Sequence, residues 1–400
     1  MEKSRNIYIV LASLILALAL AGCQNPFLQL GEGSVQAGVS SSGTISPPEI
    51  LLPESPPAEF WPGTGTPGDP FLVYDIETLQ RVGNEGEGEG EWGLTKHYKQ
   101  IADIDMADAG NWETIGIKKG GWFTGTYDGN GKIISNLSSN YNGTNSDYLG
   151  LFRAIGGTVM NLGLVNAKIE GDWCVGGIVG ENGGEILNCF FKGIIKCDMM
   201  YGGGITGNNG GIVEKCYSEG IFEGGRLIGG VTGVNFGAIK NCYSTGDCSG
   251  EDFIGGAVGQ NSGPLLNCYA TGMVSGTDIV GGITGYVTYP MLGPPTSAIN
   301  CVALNEFIYS STDTIIGRVF GANDEDGPEI SNNYANPEMF VNDVIVPESG
   351  ENGEDITGDY HDIGWWTTEA VWATGEAWDF ETVWTWGSND LPILRNVGGQ

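Results

Sequence analysis

GGIVGENGGEILNCF, residues 176–190, is followed by GGITGNNGGIVEKCY over 203–217, GGVTGVNFGAIKNCY over 229–243 and GGAVGQNSGPLLNCY over 255–269. A fifth copy opens with GGITGY at Gly281 and reaches Asn300-Cys301 only after an insert over about residues 289–295. Weaker copies flank these, GLFRAIGGTVMNL from Gly150 and GRVFGANDEDGPEISNNY from Gly317. Successive copies start 26 or 27 residues apart, except the last, which starts 36 after its predecessor. A fixed period in this range marks stacked structural units, none of which buries its apolar face alone.

Each copy consists of short β-branched or apolar runs cut by Gly, Asn and Ser, with no helical periodicity of useful length. The 68 glycines among 400 residues recur at fixed phases of the repeat, so they are corners rather than a flexible tract. The pattern therefore predicts an all-β fold, a parallel β-solenoid in which every copy makes one coil of two or three short strands. Crossover chirality makes the coil right-handed. Coils stacked about 4.8 Å apart would make seven copies a rod of roughly 34 Å.

Stacking turns each repeat position into a column. Asn182, Asn209, Asn235 and Asn261, with Asn323 beyond them, form one such column, in which side-chain amides would bond the copy above and below. Cys189, Cys216, Cys242, Cys268 and Cys301 form another. In-register Cβ atoms stand too far apart for disulfides, and thiolates in a line do not converge on a tetrahedral metal, so small buried thiols are expected. Directly after Cys come Phe190, Tyr217, Tyr243, Tyr269 and Tyr334, which strand alternation points to the opposite side. These rings either stack on one another within the sheet or, with Tyr217, Tyr243 and Tyr269 outward, offer a face to a protein or a sugar.

A looser acidic row, Asp147, Asp172, Asp198, Asp252, Asp278 and Asp313, with Arg226 interposed, precedes the glycine pairs. Aspartate suits a turn there by bonding its own backbone. The sharper reading gives Asp252 and Asp278 to a hard cation, calcium being the one that such a row of oxygens would take.

Outside the repeats the chain changes character. Residues 1–22 read as a secretory leader, with Lys3 and Arg5 ahead of an apolar run over 7–20 too short to span a bilayer. It ends Leu20-Ala21-Gly22-Cys23, which resembles the lipobox of bacterial lipoproteins; that resemblance implies cleavage before Cys23 and acylation of its thiol and new amino terminus. Gln24 at the next position is similar to the outer-membrane sorting type, giving a chain held in the bacterial cell envelope by lipid alone. Residues 23–60, rich in Ser and Pro, form an extended tether. Residues 61–147 lack the repeat and are expected to cap the first coil. Strands are predicted at 71–74, 98–106, 112–117 and 122–127, a short helix at 76–82, and a turn at 128–131. Residues 336–400 carry Trp365, Trp366, Trp372, Trp378, Trp384 and Trp386, read as a second cap sealing a coil end or as a carbohydrate platform.

Seventeen basic against 49 acidic residues give a net charge of −32, which excludes nucleic acid and anionic lipid surfaces as natural partners. The GG-[IVA]-[VT]-G motif, the Asn-Gly corner and NCY resemble the GLUG repeats of bacterial surface proteins over about residues 150–335. GTPGDPFLVYDIETLQRV before the repeats and WDFETVWTW…LPIL after them are similar to the usual flanking segments. The resemblance implies a surface-exposed solenoid of the adhesin-like kind, engaging a host or cell-surface protein or a glycan without enzymatic activity. Some members of that group carry an immunoglobulin A-cleaving metallopeptidase domain with a His-Glu-x-x-His site; here the two histidines, His97 and His361, lie in no such context. The enzymatic alternative is a polysaccharide lyase or glycoside hydrolase, which parallel β-helices can host and which needs carboxylates converging in a groove.

Overall fold

The computed structural model describes residues 63–88, 90–141, 147–289, 294–312, 315–324, 328–345, 354–355, 372 and 378–400. The leader, the whole of the expected tether at 23–60 with Cys23, Asp313, His361, Trp365 and Trp366 lie outside the described residues. The described residues form parallel stacked coils, a β-solenoid of about eight turns, with a separate antiparallel segment near the C-terminal end. One coil comprises Glu185–Leu187, Phe190–Gly203 and Thr206–Asn209, and the next Ile212–Glu214, Tyr217–Gly229 and Thr232–Asn235. Equivalent letters are register partners: Ile186 beside Val213, Phe190 beside Tyr217, Asn182 beside Asn209. The first two strands of each coil join one 28-stranded sheet, and the third joins a separate seven-stranded sheet.

Two left-handed corners shape the coil. The first falls at Asn188, Lys215, Asn241, Asn267, Asn300 and Asn332, with φ between 53° and 57°. Asparagine tolerates this region better than other residues with a Cβ, which explains the letter that precedes Cys in most copies. The second falls just before each glycine pair, at Tyr148, Cys174, Tyr201, Leu227, Phe253 and Ile279. There the backbone folds back onto the third glycine of the motif. A Cβ on Gly207 would stand 2.5 Å from the carbonyl carbon of Cys174, so no side chain fits.

Ile178, Ile205, Val231, Ala257, Ile283 and Val319 fill the interior from one flank, and Ile186, Val213, Ile239 and Leu265 from another, all fully buried. The solenoid extends beyond the recognisable copies. Phe71–Val73, His97–Gln100 and Thr126–Ser135 stack in parallel on the same flank, with Phe71 beside Tyr98, Tyr98 beside Tyr127 and Tyr127 beside Val159. Residues read from sequence as a cap thus add rungs. Closure falls to Trp92 stacked on Phe71 at 4.6 Å, and to the helix Ile76–Arg81, started by a capping box between Asp75 and Thr78. The turn expected at 128–131 is a bulged corner inside one strand, because Asn130 and Gly131 supply positive φ without breaking the pairing on either side. The strands expected at 112–117 and 122–127 are isolated bridges at Ile115 and Phe123, followed by the strand from Thr126.

Candidate functional site

The aromatic column is formed as the repeat phase requires. Phe190, Tyr217, Tyr243 and Tyr269 stack with ring centroids 5.1, 4.9 and 4.8 Å apart and planes within 7°. Val302, beside Tyr269, interrupts the run before Tyr334. The rings point away from the cysteines and out of the coil, yet they are not a free face. Tyr217, Tyr243 and Tyr269 are only 2, 4 and 0% exposed, because Trp372, Trp378, Trp384, Leu394 and Val397 cover them.

That covering segment includes an antiparallel pair, Trp384–Trp386 with Pro392–Leu394. The phenols anchor it: Tyr217 donates to Gly398 O at 2.9 Å, Tyr243 to Gln400 Oε1 at 2.9 Å and Tyr269 to Pro392 O at 2.7 Å. Two expectations are corrected together. The tyrosine row is an internal docking ladder rather than an open binding face, and Trp372, Trp378 and Trp384 belong to a strap along the side of successive coils rather than to a seal on a coil end.

The asparagine column makes a continuous amide chain: Asn182 Nδ2 to Asn209 Oδ1, Asn209 to Asn235 and Asn235 to Asn261, each 2.7 Å. Val287 stands between Asn261 and Asn323, so Asn261 donates instead to the carbonyls of Gly263 and Ser297. A second set of ladders, unrecognised in the sequence, runs along the first corner in the opposite direction. Asn188 donates to Asn161 and Asn161 to the Asp128 carboxylate; further on, Asn300 donates to Asn267 and Asn267 to Asn241. Its signal was visible in the Asn of each NCY.

Cys189, Cys216, Cys242, Cys268 and Cys301 line the interior, fully buried and unpaired, each thiol donating to the carbonyl two residues before it. Burial pushes the Cys216 and Cys268 thiols upward and Cys301 up to about 12.

The acidic row is not a single column. Asp147, Trp173, Met200, Arg226 and Asp252 share one register line, so Asp172 and Asp198 fall beside it rather than on it. The cation beside Asp252 is the chain's own: Arg226 Nη2 lies 2.7 Å from Asp252 Oδ2 and its guanidinium 5.3 Å from the Phe253 ring centre. Asp278 Oδ1 accepts from the amide of Ile279, the turn role. Among the described residues no group of three or more His, Cys, Asp or Glu side chains gathers to hold a metal. Carboxylates do meet in an open groove of about 440 Å³ lined by Lys196, Asp198, Glu223 and Glu251, where Lys196 pairs with Asp198 at 3.4 Å.

The second left-handed corner keeps aromatic surface in contact with solvent: Tyr148, Trp173, Tyr201 and Phe253 are half-buried there, with Tyr286 beside Phe253 at 5.7 Å. Arg153 lies over the Tyr148 ring at 4.9 Å. Burial raises the Glu181 carboxyl above its usual range, and nearby Arg153 opposes this.

A family model described as the GLUG motif matches residues 171–196, one full coil of this solenoid. The chain carries the GLUG motif. Over 144 residues it is 36% identical to halomucin of Haloquadratum walsbyi, a match covering 35% of the chain; it spans about 2% of the length of that relative. A crystal structure of a protein from Bacteroides ovatus, described as a candidate immunoglobulin A1 protease, superimposes with a TM-score of 0.54 at 21% identity, covering 84% of this chain and 94% of that one. This second likeness concerns the fold alone. Motif and solenoid together point to a repeat protein of the surface, adhesin-like kind.

Proposed function

We propose that this chain is a lipid-anchored protein of the bacterial cell envelope. In this reading Cys23 carries the acyl chains, residues 24–60 lift the folded part off the membrane, and the solenoid binds a protein or glycan of a host or neighbouring cell surface without transforming it. The observation that carries the reading is the parallel stack of coils bearing the GLUG motif, behind a lipobox-like leader. A net charge of −32 keeps such a rod soluble and away from nucleic acid.

The anchor is tested by metabolic labelling with a fatty-acid analogue: the wild-type chain takes label and partitions with membranes, and Cys23→Ser does neither. Binding is tested by pull-down of the folded chain against matrix proteins and an array of glycans, where a specific saturable ligand is expected and a blank result removes the binding role. The carbohydrate-active alternative rests on the groove at Asp198, Glu223 and Glu251. Release of reducing or unsaturated ends from a polysaccharide panel, abolished by Glu223→Gln, would establish it in place of simple binding.

A further inference from the structure

The two left-handed corners of each coil are built from different residue types, and the contrast is informative. At the first corner the chain uses asparagine, the side chain that accepts positive φ most readily. At the second it places Tyr148, Cys174, Tyr201, Leu227, Phe253 and Ile279, one per coil over six coils, at φ between 39° and 72°. Bulky side chains with positive φ are strained, and such strain persists where the surroundings or a function require it. Leu227 and Cys174 are buried and close the corner, but Tyr148, Tyr201 and Phe253 leave ring surface in solvent.

We infer that this corner is the ligand-binding edge of the solenoid and that its ligand is a neutral oligosaccharide; the inference rests on the surface-binding reading above and deepens it. The tyrosine ladder is closed by the strap, whereas this edge leaves Tyr148, Tyr201 and Phe253 half-buried on alternate coils, about 10 Å apart, with buried Cys174 and Leu227 on the coils between them. With the rings stands a guanidinium–carboxylate pair, Arg226 with Asp252 at 2.7 Å, and a second guanidinium, Arg153, lies over the Tyr148 ring at 4.9 Å. Such pairs present donors and acceptors side by side, matching hydroxyl groups that both give and accept hydrogen bonds. Charge selects the ligand class. Asp147, Asp172 and Asp278 also lie along this edge of a chain with net charge −32, which repels anionic glycans. The Asp252 carboxylate already faces Arg226, which weakens its pull on a basic peptide.

The positive φ itself supplies the test. Asparagine relieves the strain while removing the ring, so Tyr201→Asn combined with Phe253→Asn separates binding from packing. With the full chain on an array of neutral, sialylated and sulfated oligosaccharides, binding to neutral members is expected. The double variant should lose about tenfold or more in affinity with an unchanged or raised melting temperature. Phe236→Ala, an exposed ring elsewhere on the surface, should bind as the parent does. Unchanged affinity in the double variant, a fall in its melting temperature alongside the affinity, or preference for anionic glycans would each overturn the inference. A parent that binds a protein but no glycan would overturn it while leaving the surface-binding reading intact, and a parent that binds neither would remove both.

Discussion

Replacing Asn209 by alanine cuts the buried amide chain at its centre. Asn209 receives Asn182 Nδ2 and gives its own Nδ2 to Asn235 Oδ1, both at 2.7 Å, and its Oδ1 also accepts from the amide of Gly211 at 3.3 Å. The side chain is fully buried, so water cannot take its place. Asn182 Nδ2 would keep only the Ile212 carbonyl at 3.2 Å, and Asn235 Oδ1 would lose its amide donor. Each buried polar group left without a partner costs about 1–3 kcal/mol, so the change should cost about 2–5 kcal/mol. Asn166→Gly is the control: Asn166 also donates to a neighbouring amide, of Asn136, but it is exposed and has φ 52°, which glycine adopts freely. That variant should lie within about 0.5 kcal/mol of the parent. Urea unfolding followed by circular dichroism, with hydrogen exchange reporting on residues 203–235, reads both. If Asn209→Ala costs no more than Asn166→Gly, the ladder is not a stabilising element and the argument from stacked equal letters fails.

Tyr269→Ala should open a void beneath Trp372, Trp378 and Trp384 and cost about 3–5 kcal/mol of strap docking, seen as a red shift of tryptophan emission with far-ultraviolet circular dichroism retained. Tyr243→Phe, which removes only the bond to Gln400, should cost about 1 kcal/mol in the same assay. The eight described cysteines, all buried and unpaired, should resist an aromatic disulfide reagent at pH 8 and react after unfolding. Burial holds Cys197 and Cys301 at about 12, leaving almost no thiolate in the native state. The phenols of Tyr98, Tyr127, Tyr217, Tyr243 and Tyr269 are raised by burial above their ordinary value near 10. A raised folded value means that their contribution to stability is whole below about pH 10 and is lost as pH climbs beyond it. Phenolate absorbance should therefore appear together with unfolding rather than before it.

The coil and its columns were legible because each repeat position is copied several times, so the phase of Asn182 or Cys189 is confirmed by Asn209 or Cys216. The strap was not, because Trp378 and Trp384 occur once and carry no register; only their docking on Tyr243 and Tyr269 reveals that they lie along the coils. Rungs before residue 150 were hidden for the same reason, since Phe71 and Tyr98 stack as coil residues without repeating the motif. The acidic row misled in another way. A bulge between Cys197 and Met200 shifts the register, so letters that align in sequence do not align in space.

The stack itself is tested most directly by distance. Glu185, Ile212 and Ala238 share one outward column on three successive coils, so nitroxides attached at positions 185 and 238 through Glu185→Cys and Ala238→Cys should sit about 10 Å apart at the backbone. Strong dipolar broadening of the room-temperature or frozen spectrum is the predicted result, with the buried native thiols unlabelled. Spectra of two non-interacting labels would place residues 53 positions apart in sequence far apart in space as well, and would contradict the solenoid.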